Sequence, residues 1–274
     1  MLRSTLLLLA ALAAPVVFAP KAPTTTVHGE TRDDLPDLDL RRSVAVAAQA
    51  GGGVPTSWCG DVTASDDRTH AAFAPETPQI KVVYAYAADR PDRSGGWMDA
   101  LQANVALVNR YLGAQAGGTK ALRFDMGTRC GRQFVDIQTV ALPGAHAEYA
   151  DNFRAVAQAV QRVLGDLGGP RNAIVLADNL SATGSDHGLA ETITGGGGEQ
   201  PGPENPHNRG GLTGVLFTRD GGEVPGPGAH GFWPEGFLHE ITHTLGAVQW
   251  GAPHSTQPAG QQNRFTGTAG RAWT

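Results

Sequence analysis

Cysteine is nearly absent from this chain: its 274 residues hold two, Cys59 and Cys130. Neither stands at metal-ligand spacing from a neighbour, which excludes a cysteine-based metal site and leaves both as structural residues. In an exported chain an even count favours a bridge over two buried thiols, and two cysteines allow a single pairing. Closing a loop of about seventy residues in this way stabilises a fold by roughly 4 kcal/mol when the geometry is unstrained. Basic clusters are lacking as well. Lys and Arg are scattered and the formal net charge is −5, so neither nucleic acid nor an anionic membrane surface is expected as a partner. A Gly-x-Ser-x-Gly elbow occurs nowhere, which argues against a Ser-His-Asp hydrolase. The acidic pairs Asp33-Asp34 and Asp66-Asp67 lack the spacing of a calcium loop and read as solvated surface.

Long apolar runs are missing except at the start. Arg3 precedes a short apolar core over residues 5–14, and small residues follow near Ala19. Residues 1–19 therefore read as a signal peptide, too short and too interrupted by Pro15 for a stable membrane span; an uncleaved anchor is the alternative. The expected location is extracellular. Residues 20–56, with Pro, Thr, acidic pairs and Gly51-Gly52-Gly53, read as a linker or short pro-segment, holding at most one short helix over 40–49. Residues 57–274 are expected to form one domain, because 41% hydrophobic content over that length suffices for one sizeable core.

Regular structure is expected from residue 79 onward. The run Ile80-Lys81-Val82-Val83-Tyr84-Ala85-Tyr86 predicts a strand. Leu101, Val105, Val108 and Leu112 make one apolar face of a helix over 97–115. Strands are predicted over 121–126 and 133–142, separated by a turn over 127–132. A second amphipathic helix over 152–164 turns Phe153, Val156, Val160, Val163 and Leu164 toward the core, and a short buried strand follows over 172–177. This order predicts an α+β fold: a mixed twisted sheet packed with two long helices plus the helix described next. Residues 178–236 read as irregular, with an edge strand over 215–218, and His187, His207 and His230 read there as solvated loop histidines.

Near the C-terminus stands Phe237-Leu238-His239-Glu240-Ile241-Thr242-His243-Thr244-Leu245-Gly246. Phe237, Leu238, Ile241 and Leu245 recur at three- and four-residue spacing, Pro234 and Glu235 suit a first helical turn, and Gly246 suits its stop. On such a helix His239 and His243 lie at i and i+4 on one face, where two imidazoles can hold one Zn²⁺. Glu240 is then offset to act as general base. The bland alternative is a buried helix whose histidines fell together by chance.

The string His239-Glu240-x-x-His243-x-x-Gly246 resembles the metzincin zinc metallopeptidases. With Leu-Gly-Ala-Val-Gln and Ala-Pro-His-Ser after it, it is similar to a group of secreted actinobacterial metallopeptidase-like proteins. The resemblance implies a zincin-like fold, Zn²⁺ as cofactor, a protein or peptide substrate, and hydrolysis by a zinc-activated water with Glu240 as base. Two departures stand out. Gln249 occupies the usual third-ligand position, which makes His254 the candidate third ligand. No methionine follows His239, since the three are Met1, Met98 and Met126, so the downstream methionine turn is missing and the domain is expected to be truncated or frame-shifted at its end. The rival reading is therefore a catalytically inactive or truncated secreted module that keeps the protease fold and binds.

Overall fold

The computed structural model describes residues 24–31, 55, 57–61, 73–74, 76–115, 121–165, 170–184, 186–194, 202–222 and 232–246. In chain order its elements are β1 (Thr24–Thr31), β2 (Gln79–Ala87), α1 (Ser94–Gln115), β3 (Met126–Thr128), β4 (Gly131–Val135) and β5 (Ile137–Leu142). They continue as a single turn α2 (His146–Tyr149), α3 (Phe153–Gly165), β6 (Arg171–Ser181), β7 (His187–Thr194), a 3₁₀ turn (Pro206–Arg209), β8 (Thr213–Arg219) and α4 (Phe232–Thr244). Six strands form one sheet in the order β1-β7-β8-β6-β2-β5, and β3 and β4 form a separate hairpin. Strands β5, β2, β6 and β8 run parallel, while β7 is antiparallel to β8 and β1 antiparallel to β7. The fold is α+β with a mixed sheet, as the order of elements predicts.

Alternation along the strands divides the core in two. Ile80, Val82, Tyr84, Ile174, Leu176 and Leu216 face α1 and α4, burying Leu101, Val105, Val108, Phe237, Leu238 and Ile241. Val83, Ala85, Val175, Ala177, Val215 and Phe217 face α3, burying Phe153, Val156, Val160 and Leu164. Residues buried on both faces need near-continuous apolar strands, which is why β6 and β8 carry few charges. Val163, expected in the core, is instead exposed: its spacing puts it on the Val156–Val160 face, but in the last turn of α3, which ends at Gly165.

Three segments differ from expectation. The stretch 215–218 is no edge: β8 lies between β6 and β7, because His187–Thr194, read as loop, pairs along it. Within the expected linker, Thr24–Thr31 forms a strand on the far side of β7. The predicted strand over 133–142 is divided at Asp136, and of the strand predicted over 121–126 Phe124 makes one bridge to Ile80 while Met126 opens β3. Residues 1–19, the possible helix over 40–49, Gln249 and His254 lie outside the described residues.

Cys59 and Cys130 are bridged. The bridged arm is tied down further: Trp58 Nε1 donates to the Val135 carbonyl at 2.7 Å, and Thr128 Oγ1 donates to the Cys59 carbonyl at 2.7 Å. Arg93, just before α1, holds Asp178 at 2.6 Å and also donates to the Gly222 carbonyl at 3.0 Å. It thereby fixes the strand ends and the start of the segment that leads into α4. Tyr84 donates to the same carboxylate, and its hydroxyl pKa is driven well above the usual range by burial and by Asp178.

Glu191 on β7 accepts the Thr213 N–H at 2.9 Å, and burial pushes its carboxyl pKa up, partly offset by that bond and by Arg154. A raised carboxyl pKa means that folding favours the protonated form. The associated stability is present below the unfolded value of about 4.3 and is lost as pH rises through the folded value. Glu191→Gln keeps an acceptor for Thr213 and stays neutral. Its thermal midpoint should match the parent near pH 4 and exceed it at pH 7; a variant that loses stability on going to pH 7 relative to the parent would refute the assignment.

Candidate active site

Helix α4 is rotationally locked by its apolar stripe. Phe237, Leu238 and Ile241 are buried and Leu245 packs beside them, against α1 and one sheet face. Phe124 and Phe237 stack with centroids 6.3 Å apart. With that stripe fixed, His239 and His243 share another face on successive turns. Their Nε2 atoms stand 2.9 Å apart and the rings meet edge-on, at 77°. Both are buried, His239 at 9% exposure and His243 at 0%. At that distance either one Nε2 carries a proton and donates it to the other's lone pair, or the two share a cation.

Glu240, one residue on, is turned toward the sheet and only 1% exposed. It lies over β7 and β8 at two glycines. A Cβ at Gly188 would come within 2.6 Å of the Glu240 carboxyl carbon, and one at Gly214 within 3.1 Å of its backbone oxygen. Neither glycine was singled out by the sequence reading. Each is explained by the same need, since a helix carrying an inward carboxylate approaches a strand closely only where side chains are missing.

The helix end is held from the sheet. Asn172 on β6 donates through Nδ2 to the Thr244 carbonyl at 3.0 Å and to the His207 carbonyl at 3.1 Å, while its Oδ1 accepts from Leu212 N at 3.1 Å. Thr242 and Thr244 hydroxyls donate to the His239 and Ile241 carbonyls. Gly246, at φ 83°, takes the left-handed turn that ends the helix, as its position in the sequence predicts. Asn172 had no sequence signal beyond opening a strand, because its three partners come from distant segments.

Two histidines expected in solvated loops are structural. His207 is 1% exposed; its Nε2 accepts from Ile193 N at 2.9 Å, which leaves Nδ1 to donate to Asn205 Oδ1 at 2.7 Å and defines one neutral tautomer. His187 stacks on Phe217 with centroids 5.0 Å apart and reaches Asp151 at 3.3 Å. His230 lies outside the described residues.

Of the residues that the sequence proposes for chemistry, His239, Glu240 and His243 are brought together on α4. Among the described residues no group of three or more His, Cys, Asp or Glu side chains could hold a metal ion. A cavity of about 470 Å³ lies beyond the helix end, between Ile80, Leu122, Arg123, Pro170 and Leu245. None of the three α4 residues lines it.

No protein-family model matches the chain, and no curated protein matches it. Among solved structures it is similar to a catalytically inactive OgpA from Akkermansia muciniphila in complex with the O-glycopeptide substrate glycodrosocin. The two share 15% identity with a TM-score of 0.38, over 67% of this chain and 52% of that one. The match spans about half the length of that protein, and so distant a likeness carries no argument about the site.

Proposed function

We infer that the chain is a secreted zinc-dependent endopeptidase. The observation that supports this best is the convergence of His239 and His243 Nε2 atoms at 2.9 Å, beside a buried Glu240. The donors fit the metal in kind: imidazole nitrogens are preferred zinc ligands, and the two Nε2 atoms of His239 and His243 would hold the ion. His254 is the proposed third ligand. Zinc held there would supply the Lewis acidity that polarises a peptide carbonyl and makes water easier to deprotonate.

The remaining work belongs to the chain. Glu240 takes a proton from the attacking water and returns it to the departing amine. Its burial against Gly188 and Gly214 limits it to one orientation, so the proton acceptor is pre-positioned. His239 and His243 are held by the helix stripe, and Asn172 holds the helix end. Export is supported by the Cys59–Cys130 bridge, a bond that persists in oxidising compartments. No described helix is long and apolar enough to cross a membrane.

Because two donors, not three, converge among the described residues, the inactive binding module is the second reading, and one measurement separates the two. After dialysis of the purified chain against a weak chelator, about one zinc per chain is expected, reduced by His254→Ala. A chain that retains none, and hydrolyses no unfolded polypeptide when zinc is added back, is the binding module.

A further inference from the structure

Strand β7 outlasts its pairing with β8. The two pair from His187↔Phe217 to Ala190↔Gly214, while β7 runs on to Thr194. Past that point side chains take over from the backbone ladder: Glu191 accepts the Thr213 N–H, and His207 Nε2 accepts the Ile193 N–H at 2.9 Å. His207 is buried in the 3₁₀ turn Pro206–Arg209, where Asn205 Oδ1 accepts its backbone N–H at 2.9 Å and its Nδ1–H at 2.7 Å. One lone pair of the ring thus pins this turn to β7.

The other side of the turn reaches the histidine-bearing helix. Asn172 Nδ2 donates both to the His207 carbonyl and to the Thr244 carbonyl at the end of α4, while its Oδ1 accepts from Leu212 N. His207, Asn172 and Thr244 are all buried, so water does not stand in for these bonds. An amide is planar, and its donors and acceptor keep fixed relative directions. A shift of the turn therefore rotates the Asn172 amide and draws it off Thr244. Thr244 directly follows His243, so that bond decides where the second imidazole of the pair sits.

We propose that His207 and Asn172 are positioning residues for His243: with the His207 ring neutral they fix the last turn of α4 to β7, and a proton on that ring releases it. Protonation occupies the Nε2 lone pair and sets one N–H against another at Ile193. The imidazolium can still donate to Thr192 Oγ1, 3.1 Å away, but only by turning from Ile193. The charged groups around the ring are Glu204 and Arg209 beside it in the chain, and Arg171 on β6, which pairs with Asp125. Glu191 lies on the opposite face of β7, and His239 and His243 titrate on α4 itself. A consequence for hydrolysis rests on the peptidase reading above, whereas the latch does not.

The test is amide hydrogen exchange on the metal-free chain, in a strong chelator, at about pH 7.5 and about pH 5, either side of the ordinary imidazole value of about 6.5. Rates are corrected for the intrinsic effect of pH, and α1 serves as the reference. The reporters are the Leu245 and Gly246 N–H groups, which bond the Thr242 and His243 carbonyls. In the parent their protection should fall at least about tenfold in acid, the scale of one lost buried hydrogen bond. In His207→Gln, whose amide oxygen accepts from Ile193 at either pH, it should change less than about twofold. Asn172→Ala should show low protection at both. No fall in the parent overturns the proposal, and so does an equal fall in His207→Gln, which would assign it to His239 and His243. If the variants do not melt cooperatively, NMR of the parent decides. The His207 ring must then titrate with the same midpoint as the loss of Leu245 and Gly246 protection, and separate midpoints overturn the latch. Zinc added back at about pH 7.5 tests the other reading separately. No bound zinc and no hydrolysis, with the exchange pattern as expected, leaves the latch standing and overturns the peptidase.

Discussion

Glu240→Gln should lower kcat/KM for an unfolded polypeptide by about 10²–10⁴-fold, the range that a positioned general base contributes, while zinc content and thermal midpoint stay within error of the parent. Two features make the prediction sharp. Glutamine has the shape of glutamate, so it fills the space over Gly188 and Gly214 without a clash or a cavity. It is also neutral at every working pH and cannot take a proton from water. His239 and His243, the proposed ligands, are on a different face of α4 and keep their own support from the apolar stripe and Asn172. Loss of zinc in this variant would mean that Glu240 is itself a metal donor. Activity within a few-fold of the parent would remove Glu240 from the mechanism. Side-by-side measurement of zinc stoichiometry, melting and turnover on one preparation distinguishes the three results.

Helix α4 was legible in the sequence because its evidence is local. A 3.6-residue apolar stripe, two histidines at i and i+4 and a stopping glycine all lie within ten residues, and helix register then dictates which side chains share a face. The same holds for α1, α3 and β2. What escaped the reading is what closes around α4. Strand β7 reads His-Gly-Leu-Ala-Glu-Thr-Ile-Thr, and its positions toward α4 are Gly188, Ala190 and Thr192, all small. A strand signal depends on bulky alternating residues, yet here bulk on that face would push Glu240 away. The chemistry of the site thus removes the very pattern by which the strand would be recognised. Missing β7 made β8 look like an edge, although its burial from Thr213 to Thr218 is that of an interior strand. Asn172 and His207 were illegible for another reason: Asn172 bonds partners 35 to 72 residues away and the His207 ring is held by Ile193, 14 residues back, and no local pattern records such a pairing.

Lys81→Met should destabilise the domain by about 3–5 kcal/mol, the cost of leaving a buried charge without its partner. Lys81 interrupts an apolar strand between Ile80 and Val82, and within that run nothing marks it as more than a solvated position. The structure buries it completely. Its Nζ lies 2.9 Å from Asp136 and 3.2 Å from Asp125, and Arg171 Nε reaches Asp125 at 3.2 Å. Among the described residues, Lys81 and Arg171 thus meet Asp125 and Asp136 inside the protein. Asp136 is also the residue that divides β4 from β5, its N–H bonded to the Asp125 carbonyl at 3.0 Å, so the cluster ties β2 and β6 to the residues that flank the hairpin. Methionine matches the lysine stem in volume but leaves two carboxylates against one guanidinium. One carboxyl must then take up a proton on folding, so the deficit should deepen as pH rises above the carboxylate range. Adding Asp136→Asn restores neutrality around the Asp125–Arg171 pair and should recover more than half of the loss, a coupling that two independent defects would not show. Denaturant unfolding at pH 5 and pH 8 measures both effects. A single-variant loss below about 1 kcal/mol, or a double variant no better than the sum of its parts, would show that the cluster is too well hydrated to behave as a buried network.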